Sequence, residues 1–178
     1  MMMTGDHPLT AEAVGRKLNL MVQDTKESLA LKRRVSATVI KEYEVYAIVV
    51  DGDTISSLTD GQWDLVFKKQ EIIFARTTAS DKLMIVKQAQ SRGYIVGVLG
   101  SGVNDLPALK KADLGIAMNV SGSDVSKEFA TMILMDDYFA SIVSGIEQGR
   151  LVFQNLKKSV QYTLTHTMPQ GRLVVYLY

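Results

Sequence analysis

Short apolar runs alternate along the chain with longer segments in which apolar residues recur every three or four positions. The short runs are typical of buried strands, and the longer segments are typical of helices that pack one face on a sheet. The predicted strands end at residue 4 and occupy residues 45–50, 71–75, 94–99, 114–118 and 131–135. This alternation predicts an α/β domain with a mainly parallel sheet.

The predicted helices have recognisable start and stop residues. Pro8 and Pro107 suit the first turns of two helices, Ser123 suits an N-cap, and Gly93 suits a helix end. Residues 23–34 are polar and charged and predict a loop or a mobile helix. The predicted helices occupy residues 8–18, 60–68, 80–92, 106–111, 123–130 and 140 to about 167.

The last predicted helix is longer than the others and has an apolar stripe on one face. We expect a domain over residues 1–139, followed by a helical segment and a tail over residues 140–178. The tail after Pro169 is too short to span a bilayer, and we expect a truncation product or a small contact with a membrane surface or a partner. The stripe consists of Ile142, Ile146, Phe153, Leu156, Val160 and Leu164.

The composition excludes several classes of protein. The 20 basic and 19 acidic residues give a net charge of +1, which does not favour a nucleic-acid surface. There is no cysteine, and His7 and His166 lie far apart, so no zinc site is predicted. No run of about 18 apolar residues predicts a transmembrane helix. The first five residues do not resemble a secretory signal and indicate the end of a core strand.

Two predicted strand ends carry groups that suit a phosphate. Ligands of parallel α/β domains collect at the carboxyl ends of the strands. Thr4 offers a hydroxyl, Gly5 a backbone N–H, and the helix start after Asp6 a positive dipole end, although a simple N-cap explains the same residues. Lys82 can neutralise a phosphoryl oxygen, although most lysines in such positions are solvated surface groups.

A third loop follows the strand at 94–99 and contains two glycines, an amide and a carboxylate. The glycines allow a tight backbone turn. Asn104 can donate to a phosphate, and Asp105 can help to hold Mg²⁺ directly or through water. The alternative is that Asp105 only caps the helix that follows.

The order Thr-Gly-Asp, then Lys, then Gly-Val-Asn-Asp resembles motifs two, three and four of the haloacid dehalogenase superfamily. In detail it looks like the P-type ATPases, whose hinge signature is Thr-Gly-Asp-Gly-Val-Asn-Asp, one further residue, and Pro-Ala-Leu. Other similar segments favour the α-subunit branch of the sodium/potassium and proton/potassium pumps. These segments are 4–8, 73–77, 112–118, 122–127, 139–143, 149–151, 155–159 and 162–165.

The resemblance implies a partial haloacid dehalogenase-like Rossmannoid sheet, with the C-terminal part of the phosphorylation domain at 1–139 and a stalk-like helix at 140–178. It implies ATP-dependent monovalent cation transport by the family, with Mg²⁺ and ATP as cofactors. It implies Thr4, Gly5, Asp6, Lys82 and Asn104 as phosphate-binding residues and Asp105 as a metal ligand. It also implies a location on the cytosolic side of a membrane, the chain itself having the character of a soluble cytoplasmic protein.

The chain departs from the family pattern in ways that put catalysis in doubt. The phosphorylated Asp-Lys-Thr-Gly motif is absent from the sequence, so we expect no catalytic residue and no pumping by this chain alone. The nucleotide-binding domain and the membrane helices of the family are also absent. Ser101 stands where the family has a magnesium-holding aspartate, so we expect weaker Mg²⁺ binding. The family's central strand would precede Met1, so we expect open sheet edges.

Two other functions remain as alternatives. The chain could be a non-catalytic binding module that docks on a full-length pump α or β subunit, through open sheet edges and the stalk-like helix. It could also be a free phosphatase-type hydrolase, which needs a nucleophilic aspartate after a strand. Asp51 and Asp53 are the candidates, but they follow the Thr4 motif in the wrong order, so a turn is favoured.

Overall fold

The computed structural model describes the backbone of residues 1–175 and the side chains of residues 1–166 except 37 and 42. In this part of the chain, six strands form two three-stranded sheets. The first sheet has the order β1-β3-β2 and consists of β1 (Met2–Met3), β2 (Ala47–Asp51) and β3 (Glu71–Ala75), all parallel. The second has the order β4-β5-β6 and consists of β4 (Gly97–Gly100), β5 (Leu114–Met118) and β6 (Met132–Leu134), with β4 and β5 parallel.

Eight α-helices lie within the described backbone. They are α1 (Pro8–Lys17), α2 (Lys26–Arg33), α3 (Gly52–Ile55), α4 (Asp60–Phe67), α5 (Ala79–Ser91), α6 (Leu106–Lys111), α7 (Asp124–Phe129) and α8 (Ser141–Val175). Short 3₁₀ turns occupy Ala37–Val39, Glu42–Glu44 and Val103–Asp105. The predicted α/β class is therefore confirmed, although the single sheet is in fact two sheets.

Several predicted boundaries are wrong. The strand expected at 94–99 begins only at Gly97, because Tyr94 closes the end of α5 by donating to Ala89 O, and Ile95 is 90% exposed. For the polar segment 23–34, predicted as a loop or a mobile helix, the structure has the helix α2, which Thr25 caps by accepting from the Ser28 amide at 3.3 Å. The expected turn at Asp51-Gly52-Asp53 is the start of the short helix α3.

The chain divides into two units, residues 1–133 and 134–178. The assignment of 1–139 and 140–178 to functional domains stays a prediction. In the second unit, α8 continues to Val175 instead of ending near 167. The prediction of a surface or partner contact by the tail after Pro169 concerns side chains outside the described residues. No helix of the described part of the chain is long and apolar enough to cross a membrane.

Helix α5 joins the cores of the two sheets. Its Ile85 packs in a cluster with Trp63 and Phe74 beside the first sheet, whereas the next residue, Val86, packs with Val98 and Leu109 beside the second. Met3 of β1 lies partly buried against both clusters. Burying such side chains contributes about 1.5–3 kcal/mol each. The first unit is therefore held together across the two sheets by α5 and by Met3 of β1.

Strands β1 and β4 are end strands of their sheets, so each has a strand neighbour on one side only within the described residues. Both are parallel to their neighbours, and their carboxyl ends lead to Thr4 and Ser101. Because ligands of parallel sheets bind in the loops at the carboxyl ends of the strands, we expect a binding site at these two ends.

Candidate functional site

The Thr4 loop is fastened to the loop after β3. The carbonyl oxygen of Thr4 accepts two hydrogen bonds from Thr77, one from its amide at 2.9 Å and one from its hydroxyl at 3.0 Å. Thr77 is buried, so these bonds are shielded from water. The Thr4 hydroxyl oxygen accepts the Asp6 amide at 3.2 Å. The loop is thus a closed turn whose position is fixed by β3.

The start of α1 is capped by a residue that the sequence did not single out for this role. His7 is the N-cap, and its Nδ1 accepts the Leu9 amide at 3.4 Å. The Asp6 side chain is exposed, whereas the backbone carbonyl oxygen of Asp6 accepts the Arg76 amide at 2.9 Å. A Cβ on Gly5 would lie 3.8 Å from the Thr77 carbonyl oxygen, an ordinary contact. A side chain at position 5 would therefore fit without a steric clash at its Cβ.

Lys82 and Asp105 form an ion pair between the two sheets' loops. The distance from Lys82 Nζ to Asp105 Oδ1 is 2.7 Å, and the two side chains are 13% and 20% exposed. Lys82 lies in the first turn of α5, which begins with a capping box between Thr78 and Asp81. The alternative that Lys82 is a solvated surface group is therefore wrong.

The other carboxylate oxygen of Asp105 closes the loop after β4. Asp105 Oδ2 accepts the Ser101 amide at 3.3 Å and the Gly102 amide at 3.2 Å. A Cβ on Gly100 would lie 2.5 Å from the Asp105 Cβ, so glycine is needed for this close approach. Asn104 lies in the same 3₁₀ turn and is exposed. Asp105 thus caps its own loop while it pairs with Lys82.

A buried serine that sequence reasoning missed holds the same loop from the other side. Ser126 is completely buried at the start of α7, and its hydroxyl lies 3.3 Å from the Ser101 carbonyl and 3.2 Å from the Gly102 carbonyl. Its Oγ is also 2.7 Å from the hydroxyl of Ser123, the N-cap of α7. A serine in the middle of a polar run gives no sequence signal for this role.

The residues around Asp105 do not fit a Mg²⁺ site as they are arranged. Both carboxylate oxygens of Asp105 already accept hydrogen bonds, and Ser101 offers a neutral oxygen where a hard cation prefers a carboxylate. The described residues contain no group of three or more acidic, histidine or cysteine side chains that could hold a metal ion. The Asp105 carboxylate is therefore occupied by Lys82 and by its own loop.

The two aspartates considered as hydrolase nucleophiles have structural contacts. Asp51 is the N-cap of α3, where its Oδ1 accepts the Asp53 amide at 3.2 Å. Arg76 lies 3.5 Å from Asp51 Oδ2 and 3.8 Å from Asp53 Oδ2. Strand β3 separates β2, which leads to Asp51, from β1, which leads to Thr4. These contacts favour a structural role for the two aspartates over a role as nucleophile.

At the amino end of β4, opposite the end that leads to Ser101, a carboxylate fixes the approach to the strand. Asp113 Oδ2 accepts the Val96 amide at 2.8 Å and the Gln90 side-chain amide at 3.1 Å. The hydrogen bond from Val96, followed by that from Gln90, lowers the pKa of Asp113 below its ordinary value of 3.8. Its charge therefore favours the folded position of the segment before β4.

The sequence-predicted site residues are gathered in two groups within the described part of the chain. Lys82 pairs with Asp105, and Thr4 is bonded to Thr77, while Gly5 and Asp6 follow Thr4 and Asn104 precedes Asp105. The fold and these groups define a class: an α/β domain with polar and cationic groups gathered at the carboxyl ends of parallel strands.

Comparison with known proteins finds related sequences. The chain is 50% identical over 172 residues to the sodium/potassium-transporting ATPase subunit alpha-4 of Rattus norvegicus. It is 51% and 50% identical to the alpha-2 subunits of Pongo abelii and Homo sapiens over the same length. Each match covers 95% of this chain but only 17% of the relative. No protein-family model matches the chain. In sequence the chain is therefore related to the α subunits of the P-type ATPases, and it spans about a sixth of the length of these relatives.

Proposed function

We propose that the chain supplies the phosphate-contacting part of a P-type ATPase phosphorylation domain, and that alone it neither takes a phosphoryl group from ATP nor transports monovalent cations. The observation that carries this proposal is the largely buried Lys82 side chain, which lies in the first turn of α5 and pairs with Asp105. A cation of low exposure beside a helix start suits an oxyanion.

Each predicted residue has a specific part in this proposal. The Lys82 ammonium has three N–H donors and uses one for Asp105, so it has donors to offer a phosphate oxygen. The Thr4 hydroxyl, the Gly5 amide and the Asn104 side chain are the other donors. The Asp6 amide already donates to Thr4 Oγ1, so Asp6 acts through the shape of the loop.

The proposed lack of phosphoryl transfer follows from the sequence. The chain contains no Asp-Lys-Thr-Gly, and Asp81-Lys82 is followed by Leu83. Without a nucleophilic aspartate there is no acceptor for a covalent intermediate. ATP and Mg²⁺ are the cofactors implied by the family, and a cytosolic position beside a membrane is the implied location. We propose that this chain alone keeps only a metal-independent affinity for phosphate.

The test is a thermal melt of the whole chain with and without inorganic phosphate, with Mg²⁺ added in a separate arm. A ligand at ten times its Kd stabilises a protein by about 1.4 kcal/mol. We expect a rise in Tm with phosphate in the original chain, a smaller rise in Lys82→Arg, and none in Lys82→Met.

Lys87→Met is the matched control, because Lys87 is an exposed lysine on the same helix. It should keep the full shift. Absence of any phosphate shift in the original chain, or an equal shift in Lys82→Met, would contradict the proposal. A shift that requires Mg²⁺ would contradict its metal-independent part.

A second candidate function is docking on a pump subunit, and the open edges of β1 and β4 favour it. Unpaired strand edges are templates for pairing with another chain. Hydrogen exchange of the chain mixed with a purified full-length α or β subunit tests this function. Docking at these open edges predicts slower exchange at the amides that face away from the neighbouring strands, those of Met3, Gly97 and Leu99. Unchanged exchange there, or protection only at the far edge strand β2, would exclude it.

A further inference from the structure

The connection between α2 and β2 contains a serine with an unusual set of neighbours. Ser36 has Arg33 at position −3 and Arg34 at position −2. In the whole sequence, no other serine or threonine has basic residues at both of these positions. Serine kinases select substrates partly by such charge patterns, because carboxylates in the peptide groove of the kinase pair with the basic side chains. The spacing therefore makes Ser36 a candidate for modification.

The structure leaves this serine accessible. Every described side chain from Leu31 to Val39 is exposed, including that of Ser36. Ser36 Oγ lies 2.9 Å from the Thr38 hydroxyl and accepts the Thr38 amide at 3.4 Å. Both are bonds within one exposed turn, where water can replace them. An enzyme can therefore reach the Ser36 hydroxyl without opening the core.

The backbone around Ser36 can be extended at low cost. Helix α2 ends at Arg33, and Arg34 has φ 53° and ψ 40°, a left-handed conformation that is unfavourable for a residue with a Cβ. The buried residues on the two sides of this segment are Ala30 and Ile40, which pack in one cluster. Local opening costs least where few buried contacts are lost, so residues 31–39 can enter a kinase groove while both ends stay anchored.

The contact that Arg33 makes in the chain does not prevent recognition. Arg33 forms an ion pair with Glu44, and the Arg33 side chain is 52% exposed. An exposed ion pair of this kind holds its partners weakly. A carboxylate of a kinase can therefore take the place of Glu44. Arg34 is also exposed, so both guanidinium groups are within reach of an acidic groove.

We propose that Ser36 is a phosphorylation site for a serine kinase that recognises arginine at positions −3 and −2. In this step the Ser36 oxygen attacks the γ-phosphorus of ATP bound to the kinase, the bond from this phosphorus to the β,γ-bridging oxygen breaks, and ADP leaves. The catalytic aspartate of the kinase accepts the hydroxyl proton. The product has about two added negative charges beside a run of three basic residues.

This inference is independent of the proposed phosphate site around Lys82. Here the chain is the substrate of another enzyme and uses none of the groups at the carboxyl ends of its strands. Loss of phosphate binding in Lys82→Met would leave the modification of Ser36 unchanged. The two proposals therefore fail separately.

Incubation of the whole folded chain with ATP, Mg²⁺ and the catalytic subunit of cAMP-dependent protein kinase tests the proposal. We expect one phosphate per chain, located at Ser36 by peptide mass spectrometry, and none in Ser36→Ala. Arg33→Gln and Arg34→Gln should each lower kcat/KM about tenfold, because each removes a charge-assisted hydrogen bond to the kinase.

Two controls separate recognition from exposure and general charge. Lys41→Gln removes a charge from the same connection after Ser36 and should change kcat/KM by less than about twofold, because exposed charges outside the recognised positions are screened. Ser57 is an exposed serine without basic residues at positions −3 and −2, and it should stay unmodified.

Several results would overturn the proposal. These are no incorporation at Ser36, incorporation only after heat unfolding, phosphorylation of Ser57 at an equal rate, and an unchanged rate in both arginine variants. Circular dichroism should show the same fold in all variants, because every substituted side chain is exposed.

Discussion

Replacing Ser126 by alanine isolates the contribution of one buried hydroxyl to the loop after β4. The hydroxyl is completely buried and donates to the carbonyl of Ser101 or Gly102. Both carbonyls keep another donor, because Ser101 O accepts the Ser123 amide at 2.9 Å and Gly102 O accepts the Asp105 amide at 3.1 Å. The variant therefore leaves no carbonyl without a partner, and the Ser123 hydroxyl, which loses its contact with Ser126 Oγ, still accepts the amide of residue 126.

The expected loss in the free energy of unfolding follows from this geometry. A buried polar group left without any partner costs about 1–3 kcal/mol, whereas an ordinary hydrogen bond contributes about 1 kcal/mol. Because both carbonyls stay bonded, we expect a loss of about 1 kcal/mol for Ser126→Ala. Urea unfolding measures it, with an unchanged slope showing that the transition itself is unchanged.

The control for this prediction is Ser57→Ala. The Ser57 hydroxyl also donates to a backbone carbonyl, that of Thr54 at 2.8 Å, but Ser57 is exposed. Exposed substitutions usually stay within about 0.5 kcal/mol. The reasoning would be refuted if Ser126→Ala were as stable as the original chain, or if Ser57→Ala cost as much.

Two further predictions concern backbone space and pH. A Cβ on Gly52 would overlap the carbonyl of Arg76, which has φ 52°. We therefore expect Gly52→Ala to lower the free energy of unfolding by about 2 kcal/mol, measured in urea. In the control Gly61→Ala, in α4, the added Cβ meets no neighbouring atom and should not destabilise the chain. Equal stabilities would contradict this. Because the pKa of Asp113 is lower in the folded chain than its ordinary value of 3.8, ionised Asp113 stabilises the fold at pH values above 3.8. This contribution is lost as the pH falls through the folded-state pKa. The free energy of unfolding should therefore fall more steeply below pH 3.8 in the original chain than in Asp113→Asn. Parallel acid-unfolding curves would exclude a role for this charge.

The parts of the fold that the sequence predicts well are those with strong local patterns. The strands β3 and β5 and the helix α6 have the predicted bounds, because each is a continuous apolar or amphipathic segment with clear flanking residues. The prediction for β4 started too early, because Tyr94 and Ile95 are apolar but exposed. Periodicity identifies apolar residues, but it cannot show which of them tertiary packing will cover.

The sequence likewise predicts only a part of the candidate site. The motifs identify Lys82 and Asp105 as a pair of interest, but their 2.7 Å contact depends on two loops of different sheets meeting. The double use of the Asp105 carboxylate and the buried position of Ser126 come from the same three-dimensional arrangement. No spacing rule in the sequence contains them. The expectation of weaker Mg²⁺ binding at Ser101 could be made from residue chemistry alone.

Because α5 packs on both sheets, it influences the order in which the elements of the fold can assemble. The elements that meet across this helix are close in sequence: Lys82 and Asp105 are 23 residues apart. The bond from Thr77 to Thr4, in contrast, closes a loop of 73 residues. Closing the longer loop costs about 1 kcal/mol more in chain entropy. The junction between the sheets is therefore less costly to close than the contact between Thr4 and Thr77, and we expect β1 to join a framework that β3, α5 and β4 have already assembled.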